Sequence, residues 1–369
     1  MKKVFLASFV LFGLTFSIPA QAHGGEQKEP LLVHVFPADS IRYISIVVPE
    51  GNIEIIGTDS DTAIVEMFIT PSLKTAKTKW DKEEVSTVLL QNYTTNTKVE
   101  NGIFSVSIER YEWSKYSPET SLDISFKIKV KSATSTRLHT TDGTIYMMNM
   151  EGTHDCNTAN GDLQMENIRG NLMGRTAKGH ISISGLRDTL DLACGNGNIT
   201  ADDCVGNITL RTNVGDMELS DLHGNIIAFA VGGDILAKNL SGDIMLRSHG
   251  GHLVGQALNG RVVANTIDGN MSLLGVSGDT EAGVETGKME IRMQNVRGYL
   301  RLSSNRDILL TIPAKTYALN IRGNKQKAYK TKASRKPKKT AIKDISVYHD
   351  AEGPELRVFS ERNIKLVFR

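Results

Sequence analysis

Gly197-Asn198-Ile199-Thr200-Ala201-Asp202-Asp203-Cys204-Val205 is followed directly by Gly206-Asn207-Ile208-Thr209-Leu210-Arg211-Thr212-Asn213-Val214. The two nonapeptides share a grammar: glycine, a polar residue, an aliphatic residue, a polar one, and a second apolar or small one. From Gly143 to Gly287 a glycine recurs at this nine-residue spacing in sixteen of seventeen slots, and Asp188 holds the remaining one. The position after the glycine is polar throughout, and the next is aliphatic or Met in fifteen of seventeen units, His154 and Thr280 being the exceptions. Apolar residues two apart mark one buried strand face, and the glycine–polar pair before them supplies a corner. Each unit therefore reads as a short strand and a turn.

A period of eighteen lies over the period of nine. Seven residues past the glycine, alternate units carry an apolar side chain: Met150, Ile168, Leu186, Cys204, Leu222, Leu240, Leu258 and Val276. The intervening units carry a small or hydroxylated residue six past theirs: Thr158, Thr176, Cys194, Thr212, Ala230, Ser248, Thr266 and Val284. Two nonapeptides thus make one coil, and stacked coils set like residues in ladders about 4.8 Å apart. Sandwich strands differ in length and in loop size. Spacing this even predicts an all-β fold, a β-solenoid with two nonapeptide strands per coil, over 133–312, about eight coils and roughly 40 Å long.

An open-ended solenoid needs caps to keep its strand edges from pairing with other molecules. Strand-like runs at 41–48, 52–56, 63–69, 103–108 and 122–130 predict an N-terminal β-region over 35–132. Runs at 317–321, 345–348, 356–359 and 364–368 predict a C-terminal β cap over 313–369. Residues 1–22 combine Lys2 and Lys3, an apolar run and Ala20-Gln21-Ala22, the pattern of a cleaved secretory signal peptide. The apolar run is shorter than the ~20 residues of a membrane span, and no later segment reaches that length, so a soluble exported protein, periplasmic or at the cell surface, is expected. Residues 23–34 read as a flexible linker.

This arrangement resembles the bacterial putative-adhesin family, exported or envelope β-strand-repeat proteins grouped as a domain of unknown function. The resemblance rests on Gly51-Asn52-Ile53-Glu54-Ile55-Ile56-Gly57, on 124–130 leading into Thr140-Thr141-Asp142-Gly143-Thr144-Ile145, and on the repeats that follow, over roughly 35–312. It implies the repeat fold and an adhesin-like role, and it implies no catalytic residue.

The formal charge hides an asymmetry. Arg322 to Lys343 holds ten cations and no acid, leaving an acidic body with one basic loop, 322–343. Lys325, Lys327, Lys330, Lys332, Arg335, Lys336, Lys338 and Lys339 are the candidate contacts for an anionic envelope polymer, lipid or protein. Tyr329 is the one aromatic among them, and nucleic acid is not an expected partner. A solvated loop that aids solubility accounts for the same residues.

Other chemistry is weakly encoded. Calcium-binding nonapeptides need an aspartate in every unit, whereas Arg261 and Lys288 stand at that position here, so no metal or cofactor is expected. His249 and His252 flank two glycines without an acidic or cysteine neighbour, and they read as corner residues. His154-Asp155-Cys156 places two reactive side chains at inward positions, where an irregular capping coil explains them as well as a catalytic thiol does. Cys156, Cys194 and Cys204 all read as small buried residues, with a Cys194–Cys204 bridge left open. A glycosidase would need paired carboxylates in a cleft, and the acids here are scattered over corners. The expected function is a non-enzymatic exported scaffold or adhesin, contacting its partner through the outward rows three and five residues past each glycine. A carbohydrate-active enzyme or polysaccharide binder using one face is the alternative.

Overall fold

The structure, a computed structural model, describes residues 29–72, 80–115, 117–314, 317–330, 338–340 and 353–369. It is a β-solenoid of about ten turns, built of parallel strands stacked at the expected spacing of about eighteen residues. One ladder makes the stacking concrete. In register, Ile145, Leu163, Ile181, Ile199, Met217, Ile235, Leu253, Met271 and Met289 lie on neighbouring strands, and all are buried. The ladder does not stop at either end of the repeats. Ile53 and Phe126 extend it on one side, and Ile308 and Ile364 on the other, giving a core on the order of 60 Å long. The solenoid therefore continues through residue 133 into the N-terminal β-region without a break in pairing.

Each coil bends three times. Two bends are at the repeat glycines, as the spacing requires. Asp188, the odd residue out, adopts the same kind of backbone with φ 119°. The third bend is a left-handed residue that recurs every eighteen positions: Asn149, Asn167, Gly185, Asp203, Asp221, Asn239, Ala257 and Gly275. Asn, Asp and Gly tolerate that conformation, whereas Ala257 adopts it at a steric cost. Ala257→Gly is therefore expected to raise stability by about 1 kcal/mol, read as an upward shift of the urea midpoint; an unchanged or lower midpoint would contradict the strain.

The polar residue after every second glycine has a physical task. Its side chain accepts the backbone N–H of the equivalent residue one coil on: Asp162 Oδ1 from His180 (2.7 Å), Asn198 Oδ1 from Asp216 (2.9 Å), Asp216 Oδ1 from Asp234 (2.8 Å) and Asp234 Oδ1 from His252 (2.7 Å). His180 and His252 continue the series through Nδ1, which accepts from Asn198 and Asn270. The hydroxyl ladder ties the other side of that corner. Thr158, Thr176, Thr212, Ser248 and Thr266 each donate to the carbonyl of the glycine fifteen residues earlier, at 2.8–3.1 Å. The aliphatic ladder from Met150 to Val276 is fully buried. Cys156, Cys194 and Cys204 are buried free thiols, so no Cys194–Cys204 bridge forms.

Both ends depart from chain order. At the N-terminal end, Tyr43–Glu50 lies between Ile103–Arg110 and Ser135–Asp142, and Ile53–Thr58 between Leu122–Lys131 and Ile145–Asn160. The first coil in sequence is thus the second in space. The C-terminal end repeats the device: Glu355–Ser360 and Asn363–Phe368 slot between the last repeat strands and the pair Ala318–Arg322 and Lys325–Lys330. Antiparallel strands finish the stack, Tyr93–Glu100 and Thr62–Pro71 at one end and Lys338–Thr340 at the other. An α-helix at Lys82–Asn92, unforeseen in the sequence, is held by a capping box between Asp81 and Glu84. Past Gly287 the nine-residue period ends, and there the strand bulges against Leu274–Thr280. The expected strand at 345–348, residues 23–28 of the linker and the leader 1–22 lie outside the described residues.

Candidate interaction surface

Most of the described residues of the basic segment lie on strands, not in a loop. Lys325, Lys327 and Lys330 lie on a strand that pairs in parallel with Asn363–Phe368, and Lys338 and Lys339 lie on a short strand antiparallel to it. Lys332, Arg335 and Lys336 fall outside the described residues. The reason is the edge it covers: Asn363–Phe368 would otherwise present a bare row of backbone groups, and lysine-rich strands blunt such an edge because like charges oppose further pairing. The register sets Lys330 opposite Lys338 and Tyr329 opposite Lys339. Charge thus gathers at the terminal layer.

Lys325 also meets cations from elsewhere in the chain. With Lys288 and Lys365 it lines an open concavity of about 660 Å3, beside Glu290 and Asp307. Asp307 is engaged, accepting the backbone and side-chain N–H groups of Asn363 at 3.1 and 3.0 Å. Lys288 and Lys365 were not separable from other surface lysines in the sequence. Their signal was register: the strands that Lys288, Asp307, Asn363 and Lys325 begin stack in that order, and Lys365 lies opposite Lys327.

The outward row five past the glycine is chemically graded. Arg175, Ala193, Arg211, Phe229, Arg247, Asn265 and Gly283 succeed one another in register, then Ser303 and Phe359. Toward the N-terminal end its charges are self-satisfied, since Asp191 bridges Arg175 (3.0 Å) and Arg211 (2.9 Å).

Carboxylates do gather in one place. Glu50, Glu109, Glu112 and Asp142 line a concavity of about 760 Å3 near the N-terminal end, with His139 and Arg110. Glu50 is held there by Ser72 and Ser121, whose hydroxyls donate to its two oxygens at 2.6 Å. Arg110 donates through its two terminal nitrogens to Ser117, Thr120 and Ser121. These bonds staple the 112–121 segment to the stack, which is structural work.

The remaining sequence candidates are interior or at corners. His154 stacks between Thr136 and Leu172 in a core ladder, with Nδ1 3.0 Å from Thr136 Oγ1 and Nε2 buried without a partner. The strands Ser135–Asp142, Tyr43–Glu50 and Ile103–Arg110 lie beyond it in turn, so its coil is not a cap. Burial lowers the His154 pKa to about 4 and pushes the Cys156 thiol far up and the Cys204 thiol up to about 11. Neither thiol is poised for nucleophilic attack. Corner aspartates accept backbone N–H groups, and among the described residues no three metal-ligating side chains converge.

His154 has a consequence for acid stability. The unfolded chain takes up a proton near pH 6.5 and the folded chain only near 4, so stability is complete above 6.5 and falls as pH drops between these values. The loss amounts to about 3 kcal/mol by pH 4. His154→Leu, which copies its neighbour Leu172, is expected to flatten that decline in urea melts at pH 7.5 and 4.5. An unaltered pH slope in the variant would contradict the neutral buried ring.

No protein-family model matches the chain, and no curated protein does. Among solved structures it is similar to a putative cell adhesion protein from Clostridium sporogenes ATCC 15579, with 7% identity, TM-score 0.23, and coverage of 91% of this chain and 97% of that one. It is similar also to a putative lipid binding protein from Parabacteroides distasonis ATCC 8503, with 9% identity, TM-score 0.22, and coverage of 92% and 97%. Likeness at these scores carries no functional argument. No helix among the described residues is long and apolar enough to cross a membrane.

Proposed function

We propose that this protein is an exported, non-enzymatic scaffold of the bacterial envelope that adheres to an extended polymer. One observation carries the reading: the solenoid sets its outward side chains in straight rows, one coil apart, along the repeats. Rows of that kind suit a ligand that itself repeats, because many weak contacts add when both partners are in step. The lysines at the terminal layer, with Lys288 and Lys365, supply a cationic end that favours an acidic polymer. Composition of residues 1–22 supports export.

Deleting the basic segment is a poor test, because it would remove a paired strand. Neutralising Lys288, Lys325 and Lys365 to Gln keeps every strand. Mature protein is mixed with whole envelopes, anionic liposomes and purified envelope polysaccharide, and the pelleted fraction is measured. The wild type is expected to pellet with envelopes and polysaccharide, and the triple variant to bind at least about fivefold less at low salt. A wild type that pellets with none of the three would end the adhesive reading; equal pelleting of the variant would remove the lysines from it.

A further inference from the structure

The graded row contains an open stretch framed by two phenylalanines. Phe229 is 39% exposed and Phe359 49% exposed, and they are the two exposed phenylalanines among the described residues. Both stand on the same outward row, five layers and therefore roughly 24 Å apart. Between them come Arg247, Asn265, Gly283 and Ser303. These six residues line an open trough of about 490 Å3. Gly283 makes the low point: a Cβ there would sit 2.6 Å from Asn265 Oδ1 and 3.4 Å from Ser303 Oγ, so an amide and a hydroxyl flank a bare stretch of backbone.

Ser248, Thr266 and Ser304 at the trough wall are tied to backbone groups, but three other polar side chains there are unspent. Arg175 and Arg211, earlier on the row, are locked to Asp191, whereas the side chains of Arg247, Asn265 and Ser303 make no hydrogen bond or ion pair with other described residues. A guanidinium, an amide and a hydroxyl offer both donors and acceptors at neutral charge balance, with Glu285 on the rim opposite in sign to Arg247. Apolar rings at either end offer flat faces. Protein segments would fill such a face with aliphatic side chains, for which the floor provides no pocket. A chain of pyranose rings matches it, having apolar ring faces for the phenylalanines, hydroxyls for the floor, and a repeat length similar to the coil rise.

We infer that the trough between Phe229 and Phe359 binds a single glycan strand lying along the solenoid axis. This deepens the adhesive reading and rests on it for biological purpose, although the binding itself is independent of the lysine end. The phenylalanines stack sugar rings, Asn265 and Ser303 bond hydroxyls over Gly283, and Arg247 donates to ring or carboxylate oxygens.

The test is calorimetric titration of full mature protein with linear hexasaccharides: cellohexaose and chitohexaose as neutral probes and hexagalacturonate as the acidic one. At least one is expected to bind the wild type at sub-millimolar concentration. Phe229→Ala and Phe359→Ala should each weaken it about tenfold, and Gly283→Gln, which fills the floor, should abolish it. The phenylalanine variants truncate exposed rings only, so they keep the test valid should Gly283→Gln unfold; thermal melts verify this. Leu90→Ser, at an exposed position on the helix at the other end of the rod, should leave hexasaccharide affinity unchanged. No binding of any probe, or equal binding by the phenylalanine variants, would overturn the trough. Envelope pelleting separates the two ideas: if the phenylalanine variants pellet like the wild type, the trough fails and adhesion stands, whereas a wild type that never pellets fails adhesion whatever the titrations read.

Discussion

Removing residues 353–369 is expected to damage the protein more than removing the longer segment 315–352. Ordinarily the C-terminal end of a solenoid is its cheapest coil, because only one neighbour is lost. Here the last two strands in sequence are an interior layer. Leu356, Val358, Ile364, Leu366 and Phe368 are all buried, packed between the strands of the repeats and the lysine-bearing pair. At ~1.5–3 kcal/mol per buried side chain, about 10 kcal/mol of apolar burial goes with them. That is of the order of a whole domain's stability. The pair Ala318–Arg322 and Lys325–Lys330 would also lose its parallel partners. Joining Ala314 to Gly353 instead leaves Glu355–Ser360 to follow Ile308–Ile312 directly, the normal succession of strands along the rod. Thermal melts and gel filtration of the two deletions decide the matter. A truncated chain that melts like the wild type while the internal deletion aggregates would refute the interleaved order.

A single methyl group at a repeat glycine should have the next largest effect. Gly215 has φ 137°, and a Cβ there would lie 2.2 Å from the carbonyl oxygen of Gly197 in the coil below. Backbone cannot yield as a side chain does, so Gly215→Ala must either force adjacent coils apart or leave the favourable corner. The cost is about 3 kcal/mol or more. Because coils communicate only with neighbours, a defect at mid-rod should also split the melt into two steps. Gly232→Ala is the control: its Cβ would meet only Asn213 O, at 3.6 Å, and stability should hold within about 0.5 kcal/mol. Equal effects of the two substitutions would mean that the glycine period does not reflect close approach of backbones.

The difference between these glycines was legible in the spacing, and so was most of the rod. Glycine, polar, aliphatic at fixed intervals carries the corner, the tie and the buried face in one short string, since each coil repeats the same local physics. The eighteen-residue series Asn149, Asn167, Gly185, Asp203, Asp221, Asn239 was equally present, though its members look like ordinary polar residues until their backbone is seen. Layer order at the ends was not legible. Leu300 pairs with Leu356 instead of Leu319, yet both partners belong to alternating strands of the same character, and periodicity says nothing about which arrives first. Likewise the run Lys325-Gln326-Lys327-Ala328-Tyr329-Lys330 lacks an apolar face, so only the edge it covers reveals it as a strand. The trough was half visible: its row followed from the repeat, but Phe359 lies beyond the last repeat glycine and joined that row only through strand pairing.

Antiparallel strands shut both extremities of this molecule, and that fixes how such a protein changes size over evolutionary time. Among the described residues, neither end of the rod continues the parallel stacking that another coil would extend. A duplication of eighteen residues among the similarly built middle units, by contrast, shifts everything downstream one notch and keeps the strand pairing. The gene can therefore be lengthened or shortened like a ruler between two fixed end stops, with the distance separating the stops, and any features mounted near them, as the quantity selection adjusts.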